Sequence, residues 1–493
     1  MRTAPLDMTP DEFRDVGHRL VDRLADFLGS LPARDVTPPD ADAESYRTAL
    51  GRGPLPDEGC NPQELLDQAA SLLLDRSLFN GHPRFMAYIT SSAAPIGALG
   101  DLLAASVNAN CGSWGLSPMA SLIEEQTVNW IAQLVGYPSP CGGLLVSGGN
   151  MANMVGFWAG RAARADPDIR ARGLAGSPAR LLAYASSETH TWLQKAADLS
   201  GLGTEGVRSI PVDGRQRMCV DVLAARIDED RAAGLHPFLV VGTAGTVSTG
   251  AVDPLGAIAA ICREQRLWFH VDGAYGAPAA VTPDAPDDLR ALSEADSVAV
   301  DPHKWLYAPI EAGCTLVRDQ QALAAAFAYH PAYYHFDGEA AVPNYYELGP
   351  QNSRGFRALK VWLGLRQVGR AGYARMIGDD IRLGRELFEL LSAHAELEAV
   401  TQGLSITTFR YVPPGVERHD TANAEMLNAI NTTVLDRLQR SGRAMVSNAV
   451  VDGRFLLRAC IVNFRTSRED LEALRDLTVE IGRGVVATRR AEL

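Results

Sequence analysis

Residues 267–280 read LWFHVDGAYGAPAA, an apolar run that ends at an acidic residue followed by a series of small residues. A short apolar run bounded by Gly and Pro is typical of a buried strand that leads into a turn. In parallel sheets, ligands gather at the carboxyl ends of the strands. Asp272, which directly follows the run 267–271, is therefore a candidate ligand-binding residue, although the spacing alone favours a helix N-cap or turn aspartate.

Similar apolar runs recur between about residues 86 and 373, separated by longer stretches in which apolar residues have helical spacing. The runs cover residues 143–146, 180–185, 237–242, 267–271 and 297–300. Strands that alternate with helices predict a largely parallel sheet with helices on both faces. We therefore predict an α/β fold.

The sequence as a whole predicts three segments: residues 1–85, a large domain at 86–373 and a small α+β domain at 374–493. The first segment opens with T-P-D-E and an amphipathic helix from Thr9 to Leu31, followed by a Pro-rich connector at 32–61. This helix cannot bury its apolar face alone, so it needs another domain or a partner subunit. The last segment combines helices at 377–393 and 422–440 with strand-like runs at 405–412, 444–451 and 455–464.

The composition argues against several function classes. A formal charge of −13 gives no long-range attraction to nucleic acid or to an anionic membrane. The N-terminus lacks an apolar signal region, and no stretch approaches the ~18 apolar residues that span a bilayer. The seven cysteines form no C-x-x-C pair, so we expect reduced thiols, a cytoplasmic protein and no metal site.

A second strand end carries a lysine. The run 297–300 leads into DPHKWLYAP, which places His303 and Lys304 directly after the predicted strand. A lysine between histidine and tryptophan is partly desolvated, which suits Schiff-base chemistry. A surface lysine is the usual alternative, and the flanking apolar residues make it less convincing here.

Two further strand ends carry polar or glycine residues. VSGGN places Gly149 and Asn150 where free backbone N–H groups can hold a phosphate, although a Gly-rich turn that binds nothing is an equal alternative. His190 follows the run 181–185, and a single histidine is often a buried or capping residue. The conjunction of these positions, rather than any one of them, predicts a binding site.

Five motifs, in chain order HPRFMAYITSS, VSGGNMAN, SSETHTWLQKA, VDGAYGAP and DPHKW, closely resemble the group II pyridoxal-phosphate decarboxylases. That family includes aromatic-L-amino-acid, tyrosine, diaminobutyrate and glutamate decarboxylases. The likeness runs from MTPDEFRDVGHRLVDRLADFL to LRACIVNFRTS, almost the whole chain. It implies a fold type I enzyme with pyridoxal 5'-phosphate (PLP) as cofactor.

The resemblance also implies residue roles. Lys304 would bind PLP as a Schiff base, Asp272 would bind the pyridinium nitrogen, and His190 would stack on the ring. The other cofactor residues would be Gly149 and Asn150 at the phosphate, His303 nearby and Thr246 close to the ring.

On the substrate side, the resemblance places Ser91 near the substrate carboxylate. Tyr345 would be a tyrosine of a mobile loop that returns a proton to Cα, with the adjacent Tyr346 as the alternative. The stretch 333–353 mixes Tyr, His, Gly and Pro without an apolar period, which suits a lid. The resemblance further implies an obligate homodimer with shared active sites and an N-terminal segment swapped around the partner.

The expected reaction is decarboxylation of an L-amino acid to its amine and carbon dioxide. An aromatic substrate is favoured over an aliphatic or diamino acid because Tyr88 and Trp114 supply a partly aromatic wall. Alternatives are an aldehyde-forming oxidative decarboxylase, an aminotransferase on the same fold and a non-catalytic cofactor-binding homologue. Aldehyde-forming relatives tend to replace the loop tyrosine or the stacking histidine, so Tyr345 and His190 favour simple decarboxylation.

Overall fold

The computed structural model describes residues 4, 6–38, 42–329, 342–418 and 420–491, and its elements follow the predicted alternation. The helices are α1 Pro10–Ser30, α2 Ala43–Leu50, α3 Pro62–Arg76, α4 Pro95–Val107, α5 Pro118–Val135, α6 Gly149–Arg164, α7 Ile169–Arg172, α8 Trp192–Leu199, α9 Val220–Ala232, α10 Leu255–Gln265, α11 Gln320–Phe327, α12 Ala358–Ser392, α13 Ala424–Arg440 and α14 Arg468–Ala491. The strands are β1 Phe85–Met86, β2 Gly142–Val146, β3 Leu181–Ser186, β4 Val207–Ile210, β5 His236–Thr243, β6 Trp268–Asp272, β7 Ser297–Val300, β8 Gly313–Val317, β9 Leu397–Gly403, β10 Ile406–Tyr411, β11 Met445–Val451 and β12 Arg454–Cys460.

The first helix begins where the sequence predicts. The Thr9 hydroxyl accepts a hydrogen bond from the Glu12 N–H, and the Glu12 carboxylate accepts one from the Thr9 N–H, which forms a capping box. Pro10 occupies the first turn. None of the residues of α1 is buried in the single chain, and Phe13 on its apolar face is 59% exposed. Much of the apolar face of α1 is therefore not covered by the described part of the chain, and its burial on another domain or a partner subunit stays a prediction.

The large sheet has seven strands in the order β2-β8-β7-β6-β5-β3-β4. Strands β3 to β7 pair in parallel, whereas β8 is antiparallel to both β2 and β7. The predicted largely parallel sheet is confirmed. The sequence analysis does not predict β4 or β8, because β4 is a half-buried edge strand without a continuous apolar run and β8, GCTLV, is interrupted by a threonine.

The core lies on both faces of this sheet. One apolar cluster packs α5, α10 and α12 against one face, and a second packs α6, α8 and α11 against the other. Every residue of β2, β3, β6, β7 and β8 is buried. Burial on both faces explains why these strands are almost uninterrupted apolar runs, and it leaves most polar side chains at their ends.

A second sheet of five strands has the order β1-β11-β12-β10-β9. Its strands are antiparallel except β1, which pairs in parallel with β11. The C-terminal strands agree with the predicted α+β block. Phe85 and Met86 lie at the predicted end of the first segment, and their strand belongs to this C-terminal sheet.

Two connections differ from the sequence prediction. Helix α12 runs through the boundary that we expect after residue 373, with a break at Gly369 where φ is 67°. A helix, rather than a linker, therefore connects the two sheets. The connector at 32–61 contains α2, whose N–H groups at Glu44 and Ser45 are capped by the Asp42 carboxylate. None of the helices in the described ranges combines the length and apolar character needed to cross a membrane.

Candidate active site

A cavity of about 390 Å³ lies at the carboxyl ends of strands of the large sheet. Six of the residues predicted from the sequence line it together: Gly149, Asn150, His190, Asp272, His303 and Lys304. These residues follow β2, β3, β6 and β7, which run in the same direction, with β8 between β2 and β7 and β5 between β6 and β3. The topology therefore brings side chains more than 150 positions apart to one place.

Lys304 lies in the turn that follows β7. Its Nζ is 3.0 Å from Asp301 Oδ2, and the two side chains are 19% and 2% exposed. A hydrogen bond on the side away from the cavity fixes this turn: the buried Ser91 hydroxyl donates to the His303 carbonyl at 2.8 Å. The lysine amine therefore lies at the cavity wall, in an ion pair with a buried carboxylate.

Asp272 ends β6 and is fixed through both carboxylate oxygens. The Trp192 indole N–H donates to Oδ2 at 2.7 Å, and the Ala274 N–H donates to Oδ1 at 3.2 Å. The side chain is buried yet lines the cavity. A carboxylate that is held in this way can accept a charge-assisted hydrogen bond from a protonated ring nitrogen.

The turn between β2 and α6, where the sequence predicts a phosphate, contains two glycines that the backbone requires. Gly148 has φ 86°, a left-handed conformation that favours glycine. A Cβ at Gly149 would lie 2.5 Å from Asp301 Oδ2, so the close approach also requires glycine there. The first N–H groups of α6 have no partner within the helix and can bind a phosphate.

Two histidines line the cavity with defined ring orientations. The His190 Nδ1 accepts a hydrogen bond from the Trp192 N–H at 3.2 Å, so in the neutral ring the proton lies on Nε2. Partial desolvation lowers the pKa of His190, which favours the neutral ring. The His303 Nδ1 lies 2.7 Å from the Ala312 carbonyl, which fixes its ring against the loop after Lys304.

Four other predicted residues lie outside the cavity lining. Ser91 supports the lysine turn from behind, and Thr246 is buried with its hydroxyl 3.0 Å from that of Thr249, between the lining residues Gly245 and Val247. Tyr88 is 55% exposed and its N–H donates to the Ser447 hydroxyl. The Trp114 N–H donates to the Asn344 side chain. The aromatic wall expected from Tyr88 and Trp114 is therefore not part of this cavity.

Tyr345 is also away from the cavity, contrary to the expected position on a lid. It is 1% exposed, its ring packs in the apolar cluster of α6 and α8, and its hydroxyl is 3.5 Å from the Ser121 carbonyl. The Arg354 guanidinium lies 4.8 Å from the ring centroid. Burial of the aromatic ring is the physical reason for this position. The predicted lid also includes residues 333–341, which lie outside the described residues.

The sequence analysis misses three residues that the structure brings to the site. Glu188 and Asn153 line the cavity, and Trp192 holds Asp272. Asn153 lies one helical turn after Gly149 and donates to its carbonyl at 2.9 Å. Its i+4 spacing from the glycine turn is the signal that could have identified it. Trp192 has no such signal, because its partner is 80 positions away.

The chain is similar to known proteins over nearly its whole length. The family described as the pyridoxal-dependent decarboxylase conserved domain matches residues 51–412. The aromatic-L-amino-acid decarboxylase of Bacillus atrophaeus is 33% identical over 475 residues, 94% of each chain. The phenylacetaldehyde synthase of Arabidopsis thaliana is 29% identical over 92% of each chain. The crystal structure of Oryza sativa TDC with PLP and tryptamine has a TM-score of 0.89 at 26% identity, covering 98% of this chain and 99% of that chain. This protein therefore belongs to the pyridoxal-dependent decarboxylase family and is a PLP-dependent amino-acid decarboxylase of fold type I.

Proposed function

We propose that this PLP-dependent enzyme decarboxylates an aromatic L-amino acid to the corresponding amine. The observation that carries the proposal is the convergence of Lys304, Asp272 and His190 on one cavity. An amine, a fixed carboxylate and a neutral imidazole are the groups that a PLP site needs. The aromatic substrate is supported by the names of relatives that align over nearly the whole chain.

The residues at the cavity fit PLP by their chemistry. Lys304 would bind its aldehyde carbon, Asp272 its ring nitrogen and the first turn of α6 its phosphate. When bound, PLP supplies a conjugated ring that accepts electron density from the substrate Cα. Asp301 lines the cavity, and its buried Oδ1 has no hydrogen-bond partner in the described chain. Because buried polar atoms normally have a partner, a bound ligand would supply one here.

The protein contributes position and electrostatics. Trp192 and the Ala274 N–H prevent rotation of the Asp272 carboxylate, so that this carboxylate keeps a proton on the ring nitrogen. The neutral ring of His190 would cover one face of the bound cofactor and shield it from water. The substrate carboxylate then leaves as carbon dioxide, and a general acid returns a proton to Cα.

The cavity wall supports a large apolar substrate side chain. Ile89, Val247 and Ile310 line it together with the aromatic ring of Tyr275. Glu188 lines the same cavity, and its carboxylate would accept a hydrogen bond from an indole, a phenol or a distal ammonium group. A diamino acid is therefore the second candidate substrate, after an aromatic one.

An aldehyde-forming oxidative decarboxylation is the second candidate reaction. It is favoured by the similarity to the Arabidopsis thaliana phenylacetaldehyde synthase, which is close to that of the amine-forming relatives. The presence of His190 favours the amine, because aldehyde-forming relatives tend to replace either the loop tyrosine or this histidine. An aminotransferase would instead exchange the amino group with a 2-oxo acid.

Mass spectrometry of products separates these reactions. The PLP-loaded protein is incubated with each L-amino acid, with oxygen present and absent, and amine, aldehyde, peroxide and 2-oxo acid are quantified. We expect amine and carbon dioxide from Trp, Tyr, Phe or a hydroxylated derivative, independent of oxygen. Amine from only aliphatic or diamino acids would refute the aromatic substrate. Formation of aldehyde and peroxide that depends on oxygen would refute simple decarboxylation to the amine.

We also propose a homodimer with shared active sites. Besides α1, the helix α4 exposes a row of leucines and a valine at one face, with Leu99, Leu102 and Leu103 each more than 50% exposed and Val107 at 65%. Several exposed apolar side chains on one face of a helix are typical of a protein interface. A second copy of the chain would cover it.

The cysteines support a location in the cytoplasm. All seven are free thiols, four of them buried in the interior. Burial raises the pKa of Cys111 to about 12, which keeps that thiol protonated and unreactive. Unpaired thiols of this kind fit a reducing compartment.

A further inference from the structure

We propose that His270 is a positioning residue of the cofactor site: a neutral imidazole that fixes the phosphate-binding turn relative to Asp272. His270 is one of the central residues of β6, two positions before Asp272, and the side chains of alternate strand residues lie on the same face. It does not line the cavity, and the inference holds whichever amino acid is the substrate.

The hydrogen bonds around His270 determine its tautomer. The Asn153 amide N–H₂ donates to the Gly149 carbonyl at 2.9 Å, so its Oδ1 is the atom that faces His270 Nε2, at 2.8 Å. Because an amide oxygen only accepts, His270 Nε2 carries the proton. In the neutral ring Nδ1 is then an acceptor, and the Ser297 hydroxyl, 2.7 Å away, donates to it.

The Ser297 hydroxyl also accepts a hydrogen bond, so the chain of hydrogen bonds begins one residue further away. The Trp268 indole N–H donates to the Ser297 oxygen at 2.8 Å. Trp268, Ser297, His270 and Asn153 therefore form one directed chain that ends at the carbonyl of Gly149, the first residue of α6. A chain in which each polar atom has its partner holds its members in single orientations.

The environment keeps this imidazole neutral. His270 is 0% exposed, and burial lowers its pKa to about 4, against the opposing effect of the Asp272 charge. The groups that face the ring are the amide of Asn153, the hydroxyl of Ser297 and the indole of Trp192. A protonated Nδ1 would have to donate to the Ser297 oxygen, which already accepts from Trp268, and the hydroxyl proton would lose its acceptor on His270.

Packing connects the ring to both ends of the cofactor site. A Cβ at Gly156 would lie 2.6 Å from the imidazole, so α6 can approach β6 only with glycine at that position. The Trp192 ring meets His270 edge to face, with centroids 5.6 Å apart, and its N–H donates to Asp272. His270 therefore contacts the residue that holds Asp272 and the residue that holds Gly149.

The test measures PLP binding by the cofactor-free protein rather than turnover. His270→Phe retains an aromatic ring but removes both hydrogen bonds, and we expect the dissociation constant of PLP to rise roughly tenfold to a hundredfold. His270→Gln can still donate to Asn153 and should recover a large part of the affinity. Tyr184→Phe is the matched control, because it removes the buried hydrogen bond to Asp230 on the opposite face of the sheet.

Two outcomes would overturn the proposal. One is PLP affinity in folded His270→Phe that equals the wild type, and the other is an equal loss in His270→Phe and Tyr184→Phe. Circular dichroism and the melting temperature without PLP establish folding. If His270→Phe does not fold, Ser297→Ala tests the proposal instead. This variant removes the donor to Nδ1 but leaves the imidazole of His270 in place. Ser297→Ala should then weaken PLP binding severalfold more than Tyr184→Phe, and an equal effect would refute the role.

Discussion

Lys304 permits an unusually clean residue-level test, because the chain has only three lysines, Lys195, Lys304 and Lys360. We expect the purified protein to be yellow and borohydride to fix PLP on Lys304. Lys304→Ala should lose the visible absorbance and the reduced adduct, whereas the exposed Lys195→Ala should retain both. Peptide mass mapping locates the adduct. An adduct on Lys195 or Lys360 would contradict the assignment.

Asp272→Asn tests the electrostatic part of the site. The amide has nearly the same shape but lacks the charge that stabilises a protonated ring nitrogen, so we expect amine formation to fall on the order of a hundredfold. Asp230→Asn is the control, because Asp230 is a buried aspartate that accepts from the Tyr184 hydroxyl and the Arg208 guanidinium, and none of these three residues lines the cavity. Rates and melting temperatures are measured for both. An active Asp272→Asn enzyme would exclude the role.

The variant Tyr345→Phe distinguishes the role that the sequence predicts for this tyrosine from the buried position that the structure shows. A proton donor at this position would be lost in the variant, and amine formation would fall ~10² to 10⁴-fold. The buried position predicts instead an amine rate within about twofold of the wild type, because only one long hydrogen bond to Ser121 is removed. Product analysis of Tyr345→Phe decides. The same assay with Tyr346→Phe, Tyr333→Phe and Tyr334→Phe asks whether another tyrosine of the segment supplies the proton.

At the scale of elements, α12 is connected to the turn that carries Lys304. The Asp380 carboxylate on α12 accepts from the Trp305 indole at 2.9 Å and from the Tyr307 hydroxyl at 2.7 Å. The Trp305 ring stacks on Tyr275, which lines the cavity, with centroids 4.6 Å apart. Burial raises the pKa of Asp380 to about 7. This contact therefore responds to pH within the physiological range.

The raised pKa predicts a pH-dependent stability. The folded chain holds this proton up to about pH 7, whereas the unfolded chain releases it near its ordinary pKa of about 3.9. The free energy of unfolding therefore falls as the pH rises from about 4 to 7. Asp380→Asn has no proton to lose, so its stability relative to the wild type should rise across this window, by at most roughly 1.4 kcal/mol per pH unit.

Urea unfolding at several pH values measures the difference. Asp379→Asn, next to Asp380 but with an exposed side chain in an ion pair with Arg382, is the matched control and should show little of this slope. A constant difference between Asp380→Asn and the wild type from pH 4 to 7 would show that Asp380 does not hold the proton.

At the scale of the whole molecule, the exposed apolar face of α4 predicts a dimer. Leu103→Glu would place a charge in an apolar interface, so we expect the molecular mass in sedimentation equilibrium to fall towards 52.9 kDa. Leu199→Glu changes a leucine that is 72% exposed on α8 and should leave the mass unchanged. A wild-type protein that sediments as a monomer would refute the homodimer.

Five of the seven strands of the large sheet, and the polar residues at the ends of those strands, follow from the sequence alone. A parallel strand that is covered on both faces needs an apolar side chain at almost every position, so its sequence shows the burial directly. Lys304, Asp272 and His190 follow such runs, so their positions at strand ends can be read from the sequence. The motifs around them, through the resemblance, also indicated the cofactor.

The tertiary structure alone decided which residues support that site. Trp192 and Asp272 are 80 positions apart, and Asn153 and His270 are 117 apart. The local periodicity of each segment is the same whatever the order of the strands, so it carries no information about these pairs. Tyr345 shows the same limit, because a polar, irregular segment predicts a loop but not whether one of its rings packs inside the core. Strand order and packing fix these contacts, because they depend on the relative positions of elements that are distant in the chain.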